Sequence, residues 1–319
     1  MQTEMHYVAI LANADSSFLN LQLPGFEINA VSLDEMVNLV MALTEEPQAS
    51  VVMKLCTTYP CYNYDEKCFF TISRSFADDL VLNEDGGVSK WGTGQAEQAK
   101  LEEEVVRPFI QLLRLYGEGN LAIPLEFRYY VDARGRHPFM AQINPRTRAR
   151  LTYRIEPNNL PDLKSFLEET KLPFSDPTLE LARQYYDTSY ESIGAGMRYI
   201  TLMTGMEVLF NRGKDQIRYT LSRYAAVLLG HTEDDSVRVF RAMKKHYDVR
   251  SEIVHTGRAK GATEDAIKDL RGFLRDCIKT LYQIGLVKEQ YCDKLDALGF
   301  GQGRKRIAST DTPRGDSLD

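Results

Sequence analysis

The stretch YDVRSEIVHTG, residues 247–257, places an arginine, Arg250, where a helix wants a core residue, and a histidine, His255, five positions later. At about 100° per residue, Phe240, Met243, Tyr247, Arg250 and Val254 fall on one helix face by their 3-4-3-4 spacing, and Arg250 is the misfit among them. A guanidinium on such a face must meet an acid or open into a wet cleft, because an unpaired buried charge costs too much. Measured from Arg250, Val254, Ser251 and His255 lie at roughly 40°, 100° and 140°, so a long arginine arm can bring its head toward the imidazole. A second intruder, Glu207, interrupts the apolar stripe Ile200, Met203, Phe210. It is placed to orient Arg250 or to hold the His255 tautomer. Imidazole, guanidinium and carboxylate together suit proton transfer beside developing negative charge.

Spacing alone does not single out Arg250. RAMKKH, residues 241–246, repeats the same interval, but Arg241 lies nine residues before Arg250, about half a turn out of phase. Arg241 is therefore expected to face solvent, with Lys244 and Lys245 beside it. Each candidate also has a plainer reading. His255 complements the dipole of a helix ending near Gly257, Ser251 can return a hydrogen bond to a carbonyl one turn back, and Glu207 can simply tie two helices. Both sets of readings stay open at this point.

The elements that must position these residues are helical. From about residue 155 to 300 the periodicity is 3.6: SDPTLELARQYY, MRYITLMTGMEVLF, DQIRYTLSRYAAVLLG, TEDDSVRVFRAMKKHYDVRSEIVHTG and TEDAIKDLRGFLRDCIKTLYQIG. Pro177 follows Asp176 at a first turn. Ile217, Leu221, Tyr224 and Leu228 form one apolar stripe, and Thr232 with Asp235 reads as a capping box. Residues 1–154 mix signals instead. HYVAILA, VVMKLC, KCFFTIS and LEFRYYVDARGRHPFMAQI read as strands, the last a hairpin around ARGR. SLDEMVNLVMAL, with a Ser32–Glu35 box, and QAEQAKLEEEVVRPFIQLLRLYG, ending at a cap glycine Gly117, read as helices. IEPNNLP, residues 155–161, reads as the linker. The expected fold class is an α+β domain over 1–154, an all-α helical bundle over 155–300 and a disordered polar tail over 301–319.

A chain of 319 residues with 43% hydrophobic and 26% charged side chains is an ordinary globular composition for two domains. No apolar run approaches membrane-spanning length and no secretory signal pattern opens the chain, so no membrane association is expected. Five cysteines, an odd count without paired metal-site spacing, fit thiols in a reducing compartment, and the cytoplasm is expected. A net charge of −6 argues against a general nucleic-acid coat protein but leaves room for a local grip on RNA. The most basic tract holds Arg134, Arg136, Arg146, Arg148, Arg150 and Arg154. Of these Arg146, Arg148 and Arg150 are candidate RNA contacts, with Tyr153 available to stack a base; the alternative is a solvated edge hairpin or a surface pairing with the bundle's acids. Asp234 and Asp235 read as helix N-terminal charges, and no metal or cofactor is expected. There is neither a glycine-rich phosphate loop nor a nucleophile elbow.

GMEVLF, RYTLSRYAAVLLG and VFRAMKKHYDVRSEIVHTG, in that order, resemble the signatures of a HEPN domain of the Apea-like kind. The resemblance covers roughly residues 185–286 and leaves the front domain uncovered. It implies an all-α fold in which an R-x4-6-H motif marks metal-independent ribonucleases, many of them in prokaryotic defence or toxin systems. It also implies a homodimer in which both motifs face one cleft. The motif positions fall on Arg250 and His255; the polar position after the arginine, often asparagine, is Ser251 here and has a shorter reach. The chemistry suits these residues, because RNA carries its own 2′-OH nucleophile and cleavage needs proton transfer and charge stabilisation. RNA is then the expected partner, sensing of a trigger ligand or selection of the RNA the expected task of the front domain, and an inactive HEPN-like dimerisation or RNA-binding module the alternative.

Overall fold

The computed structural model describes residues 3–41, 54–82, 88–90, 92, 99–132, 135–143, 151–192, 194–213 and 216–303. The chain divides into two compact units, Met1–Leu172 and Pro173–Asp319.

The first unit is built around β1 (Thr3–Ala12), whose run VAILA is apolar on both faces, as a strand covered on both sides must be. With β2 (Glu27–Ser32), β4 (Cys68–Asp78), β7 (Ala122–Asp132) and β8 (Gly135–Ile143) it forms a sheet of order β2-β4-β1-β7-β8, and the short β3 (Tyr62–Asn63) adds to the start of β4. All these pairings are antiparallel. A separate ribbon pairs β5 (Val81–Leu82) with β6 (Val88–Lys90). One sheet face, Tyr7, Ala9 and Leu11, packs with Phe109, Ile110 and Leu113 of α2 (Arg107–Tyr116) and Leu163 of α3 (Leu160–Glu169). The opposite face, Val8, Ile10 and Ala12, packs with Met36 and Val40 of α1 (Leu33–Met41).

Several expectations hold in detail. Ser32 and Glu35 form the full capping box, with Glu35 N–H donating to Ser32 Oγ at 3.2 Å and Ser32 N–H donating to Glu35 Oε2 at 2.8 Å. The LEFRYY and GRHPFM strands pair as a hairpin down to Asp132 and Gly135, with a register shift between Arg128 and Tyr129 where Pro138 sits opposite. Other expectations fail for identifiable reasons. In VVMKLC, Lys54 begins a helical turn, closed by Thr58 and Tyr59 N–H groups on the Lys54 carbonyl, and residues 51–53 lie outside the described set. Ahead of α2, Glu102–Val106 widens into π geometry, so that Arg107 N–H reaches back to the Glu102 carbonyl; Pro108 follows, with no amide to continue a regular ladder. Gly117 ends α2 in an extended conformation and not a left-handed one. A glycine is needed there because a Cβ would come within 2.8 Å of the Tyr153 hydroxyl.

The boundary between units also falls later than the IEPNNLP segment. Ile155 N–H donates to Ser17 Oγ at 3.0 Å, and Leu160 opens α3, whose Leu163 is fully buried in the first unit's core. The two prolines there start a helix, as first-turn prolines do, and do not mark a connection between domains.

The second unit is helical: α4 (Pro177–Glu191), α5 (Ala195–Phe210), α6 (Ile217–Leu229), α7 (Glu233–Thr256), α8 (Glu264–Ile284) and α9 (Lys288–Ala297). Asp176, Thr232 and Thr263 accept capping bonds from Leu179, Asp235 and Ala266 N–H groups. The second capping box is only half made, because the Asp235 carboxylate turns to Arg238 at 3.5 Å. The polar helix α9 carries no strong periodic signal, yet it buries Tyr291, Cys292 and Leu295. Its Tyr291 hydroxyl and Lys288 ammonium donate to the Leu209 and Val208 carbonyls, each at 2.6 Å, which satisfies the open C-terminal end of α5. Position 301, expected to open the tail, is instead placed, with Gly301 N–H donating to Ser236 Oγ at 2.9 Å; the rest of the expected tail, from 304 on, lies outside the described residues. Among the described residues no helix is long and apolar enough to cross a membrane, and all five cysteines are free thiols.

Because α3 completes the first core, Leu163→Ala should cost about 2–5 kcal/mol of the first unit's stability. Denaturant unfolding of the full chain, followed through the sheet, checks this; a loss below about 0.5 kcal/mol would place α3 outside that core.

Candidate active site

The inward stripe of α7 is Ser236, Val239, Met243, His246 and Ile253, all buried, with Arg250 completing the 3-4 spacing at a position of intermediate exposure. The stripe drawn from the sequence is shifted by about one residue. Met243 is fully buried, but Phe240 and Tyr247 are half-buried and Val254 is 48% exposed. Arg250 is common to both stripes, and it keeps its inward position.

Arg250 meets Glu207 of α5. Its Nε lies 3.3 Å from Glu207 Oε1 and its Nη2 donates to Oε2 at 3.4 Å, with the two side chains 25% and 18% exposed. These contacts are close enough for an ion pair but poorly aligned for a bidentate fork, so Nε and Oε1 both remain without a proper hydrogen bond. The guanidinium also lies over the Tyr247 ring, 5.8 Å from its centroid. Burial pushes the Glu207 carboxyl above its ordinary range, and the neighbouring Arg250 only partly offsets this. Nη2 is spent on Glu207 and the buried Nε faces the same carboxylate, while Nη1 donates to no described residue and is the group left for an anion.

His255 stands in the last turn of α7, exposed, and makes no hydrogen bond to any described residue. Gly257 closes the helix with φ +70° and its N–H on the Ile253 carbonyl, which makes His255 one of the last helical side chains before the chain turns away. Ser251 is half-exposed, and its hydroxyl makes no hydrogen bond among the described residues. The back-bonding expected of it is made by Thr256, whose hydroxyl donates to the Glu252 carbonyl at 2.7 Å. The structure therefore brings Glu207 and Arg250 together and leaves Ser251 and His255 presented outward on the same helix.

The comparison motif holds a residue that pattern reading passed over. Arg241 is exposed, as expected, but His246 is buried and bonded on both ring nitrogens, to the Tyr199 hydroxyl at 2.6 Å and to Asp269 Oδ2 at 2.9 Å. The carboxylate fixes Nε2 as the protonated nitrogen and leaves Nδ1 to accept from Tyr199. Burial holds the Tyr199 phenol above its ordinary range, so it remains a donor. This bridge joins α5, α7 and α8, and it sits about one turn before Arg250. The spacing 236-239-243-246-250-253 is the signal that would have found it.

The front-domain candidates fare differently. Arg146, Arg148 and Arg150 lie outside the described residues, as does Arg134. Tyr153 is not available for stacking: it is 1% exposed, with its hydroxyl on the Leu113 carbonyl at 2.7 Å. Arg154 pairs with Asp15 at 3.0 Å, and Arg136 lies over the Tyr129 ring. Glu233, Asp234 and Asp235 occupy the first turn of α7, where acids complement the helix dipole. Among the described residues no cluster of three or more His, Cys, Asp or Glu side chains could hold a metal ion. Comparison with protein-family models, with curated proteins and with solved structures gave no match to this chain.

The raised Glu207 carboxyl has a signed consequence. The unfolded chain ionises first as pH rises, so this group's contribution to stability falls between the ordinary carboxyl range and its higher folded value. Glu207→Gln, which cannot ionise, should therefore gain on the wild type over that window. Paired denaturation curves at pH 4 to 7 measure it; a stability difference that moves toward wild type with rising pH would contradict the burial assignment.

Proposed function

We propose that the second unit is a HEPN-like domain and that the protein is a metal-independent endoribonuclease acting as a homodimer with a composite cleft. In this reading Arg250, steered by Glu207, holds the non-bridging phosphoryl oxygens while charge builds on them. His255 takes or delivers the proton, and Ser251 lines the same approach. The attacking group is the substrate's own 2′-OH, so the products are a 2′,3′-cyclic phosphate and a 5′-OH end. A prokaryotic defence or toxin-like role follows from the same family resemblance.

One observation carries the reading. A partly exposed arginine is aimed by an acid of the neighbouring helix with its Nη1 uncommitted, on the same helix as an outward, uncommitted histidine about a turn and a half away. The exposed position of His255 suits a group that meets its partners only across a subunit or in a substrate complex. For the first unit we propose a sensing or RNA-selecting role; its open groove of about 990 Å³, lined by Leu23, Phe26, Ile28, Val105, Phe109 and Leu112 among others, offers room for a ligand.

The test is incubation of the full chain with total cellular RNA in excess EDTA, beside Arg250→Ala and His255→Ala. Cleavage should persist without metal, and each substitution should lower it by about 100-fold or more. Cleavage that both variants retain overturns the assignment. Tight RNA binding without cleavage by the wild type favours the inactive module.

A further inference from the structure

We infer that the open groove of the first unit is the docking site of a basic amphipathic helix, about two turns long, presented by a partner protein. This rests on the sensing reading of the first unit and names the class of its trigger; it stands apart from the nuclease assignment of the second.

Two walls shape the groove. One is the helical stretch from Glu104 to Leu112, where Val105, Phe109 and Leu112 keep 4-3 spacing and form an apolar seam about 10 Å long. The other is the segment leading into β2, which contributes Leu23, Phe26 and Ile28. The end of α3 and the residues after it complete the lining, with Phe166 packed on the Tyr116 ring, centroids 5.5 Å apart. At about 990 Å³ and open to solvent, the groove has room for several apolar side chains and is not an enclosed pocket for one small molecule. A seam that repeats at helical spacing over two turns is complementary to a second helix with the same period.

Charge points to the occupant. Three exposed carboxylates stand on the rim: Glu104 beside the seam, Glu27 on the facing wall and Glu168 on α3. Among the described lining residues Lys171 is the one cation set against them, and Arg74, over the Phe26 ring at 5.6 Å, lies outside the lining. Glu168 also stands in the last turn of α3, where the end carbonyls of a helix add negative potential. The partners these acids have on their own side are weak. Lys100 lies 3.7 Å from Glu104 with both largely in water, and Asn29 reaches Glu27 at 3.4 Å. An apolar floor under an acidic rim matches a helix whose apolar face is flanked by lysines or arginines. The same rim repels phosphates, so of the two tasks proposed for the first unit this surface serves sensing and not RNA selection.

The probe is a fluorescent peptide of about twelve residues, leucine and lysine only, with the leucines at 3-4 spacing; its anisotropy is followed on the full chain. Its comparisons are the same peptide with glutamate in place of lysine, and a scramble of the leucine–lysine composition that presents no apolar face. The leucine–lysine helix should bind saturably, and each comparison about tenfold or more weakly. Glu104→Lys combined with Glu168→Lys should weaken it about tenfold at low salt and less as salt rises. Val105→Ser, at a half-buried position, should weaken it about fivefold. Glu252→Lys combined with Glu289→Lys, an equal charge change on exposed positions of the second unit, controls for bulk electrostatics. Equal or tighter binding of the glutamate peptide, no saturable binding of the lysine peptide, or a Glu104/Glu168 effect no larger than the control's overturns the site. Displacement of the peptide by an RNA of about twelve nucleotides overturns it in favour of RNA selection. Self-association of the unliganded chain that Val105→Ser abolishes overturns it in favour of a second copy. The two readings fail separately: peptide binding that leaves RNA cleavage by the chain unchanged keeps the docking site and removes the sensing role. Intact cleavage without peptide binding removes the docking site alone.

Discussion

The contact between Glu207 and Arg250 constrains much of the second unit. A guanidinium on the packed side of α7 obliges a neighbouring helix to supply an acid at the right height, and α5 does so only if its own ends are secured. Tyr199 and His246 join the two helices about one turn of α7 earlier, Asp269 extends that junction to α8, and α9 closes the far end of α5 through its last carbonyls. Each of these contacts satisfies a polar group that would otherwise be stranded at a helix end or in the core. The ion pair itself is the exception, since two of its atoms are left under-bonded. Cohesion of the bundle thus rests on its neighbours, and the pair is held in position more than it holds.

That division bears on the proposed chemistry. A saturated buried fork would lock the arginine into structure and remove its capacity to grip anything else. A fully exposed arginine would have to be ordered at each binding event, at a cost in side-chain entropy. Arg250 lies between these limits: partly desolvated, aimed by a carboxylate whose own ionisation burial disfavours, and backed by the Tyr247 ring. The histidine is arranged the opposite way, outward and uncommitted, which suits a group completed by another surface.

Much of the helical architecture was legible because core burial imposes a 3.6-residue period and because Asp176, Thr232 and Thr263 mark helix starts. Gly257 and Gly285 end α7 and α8 in the left-handed conformation that glycine tolerates best. The misreadings share a cause, which is that local signals carry more than one meaning. Prolines at 157 and 161 begin helices as readily as they break chains. Gly117 looked like a left-handed cap, but Tyr153 is what requires it. The helix α9 is held by polar contacts to another helix's carbonyls, which no periodicity records. At the site, Arg250 and Glu207 were visible as charges on apolar stripes. The Tyr199–His246–Asp269 bridge was not, because tyrosine and histidine pass for ordinary stripe residues until their partners, 47 and 23 positions away from the histidine, are known.

The edges of the first unit's sheet have a consequence of their own. Among the described strands, β2 and β8 each have a neighbour on one side only. Pro138 deprives β8 of an amide at the position where its register slips, and Glu27 opens β2 with a carboxylate. A strand lacking a donor and a strand carrying a charge are both poor templates for another chain's backbone. The unit is thereby protected against ribbon-by-ribbon growth into fibres.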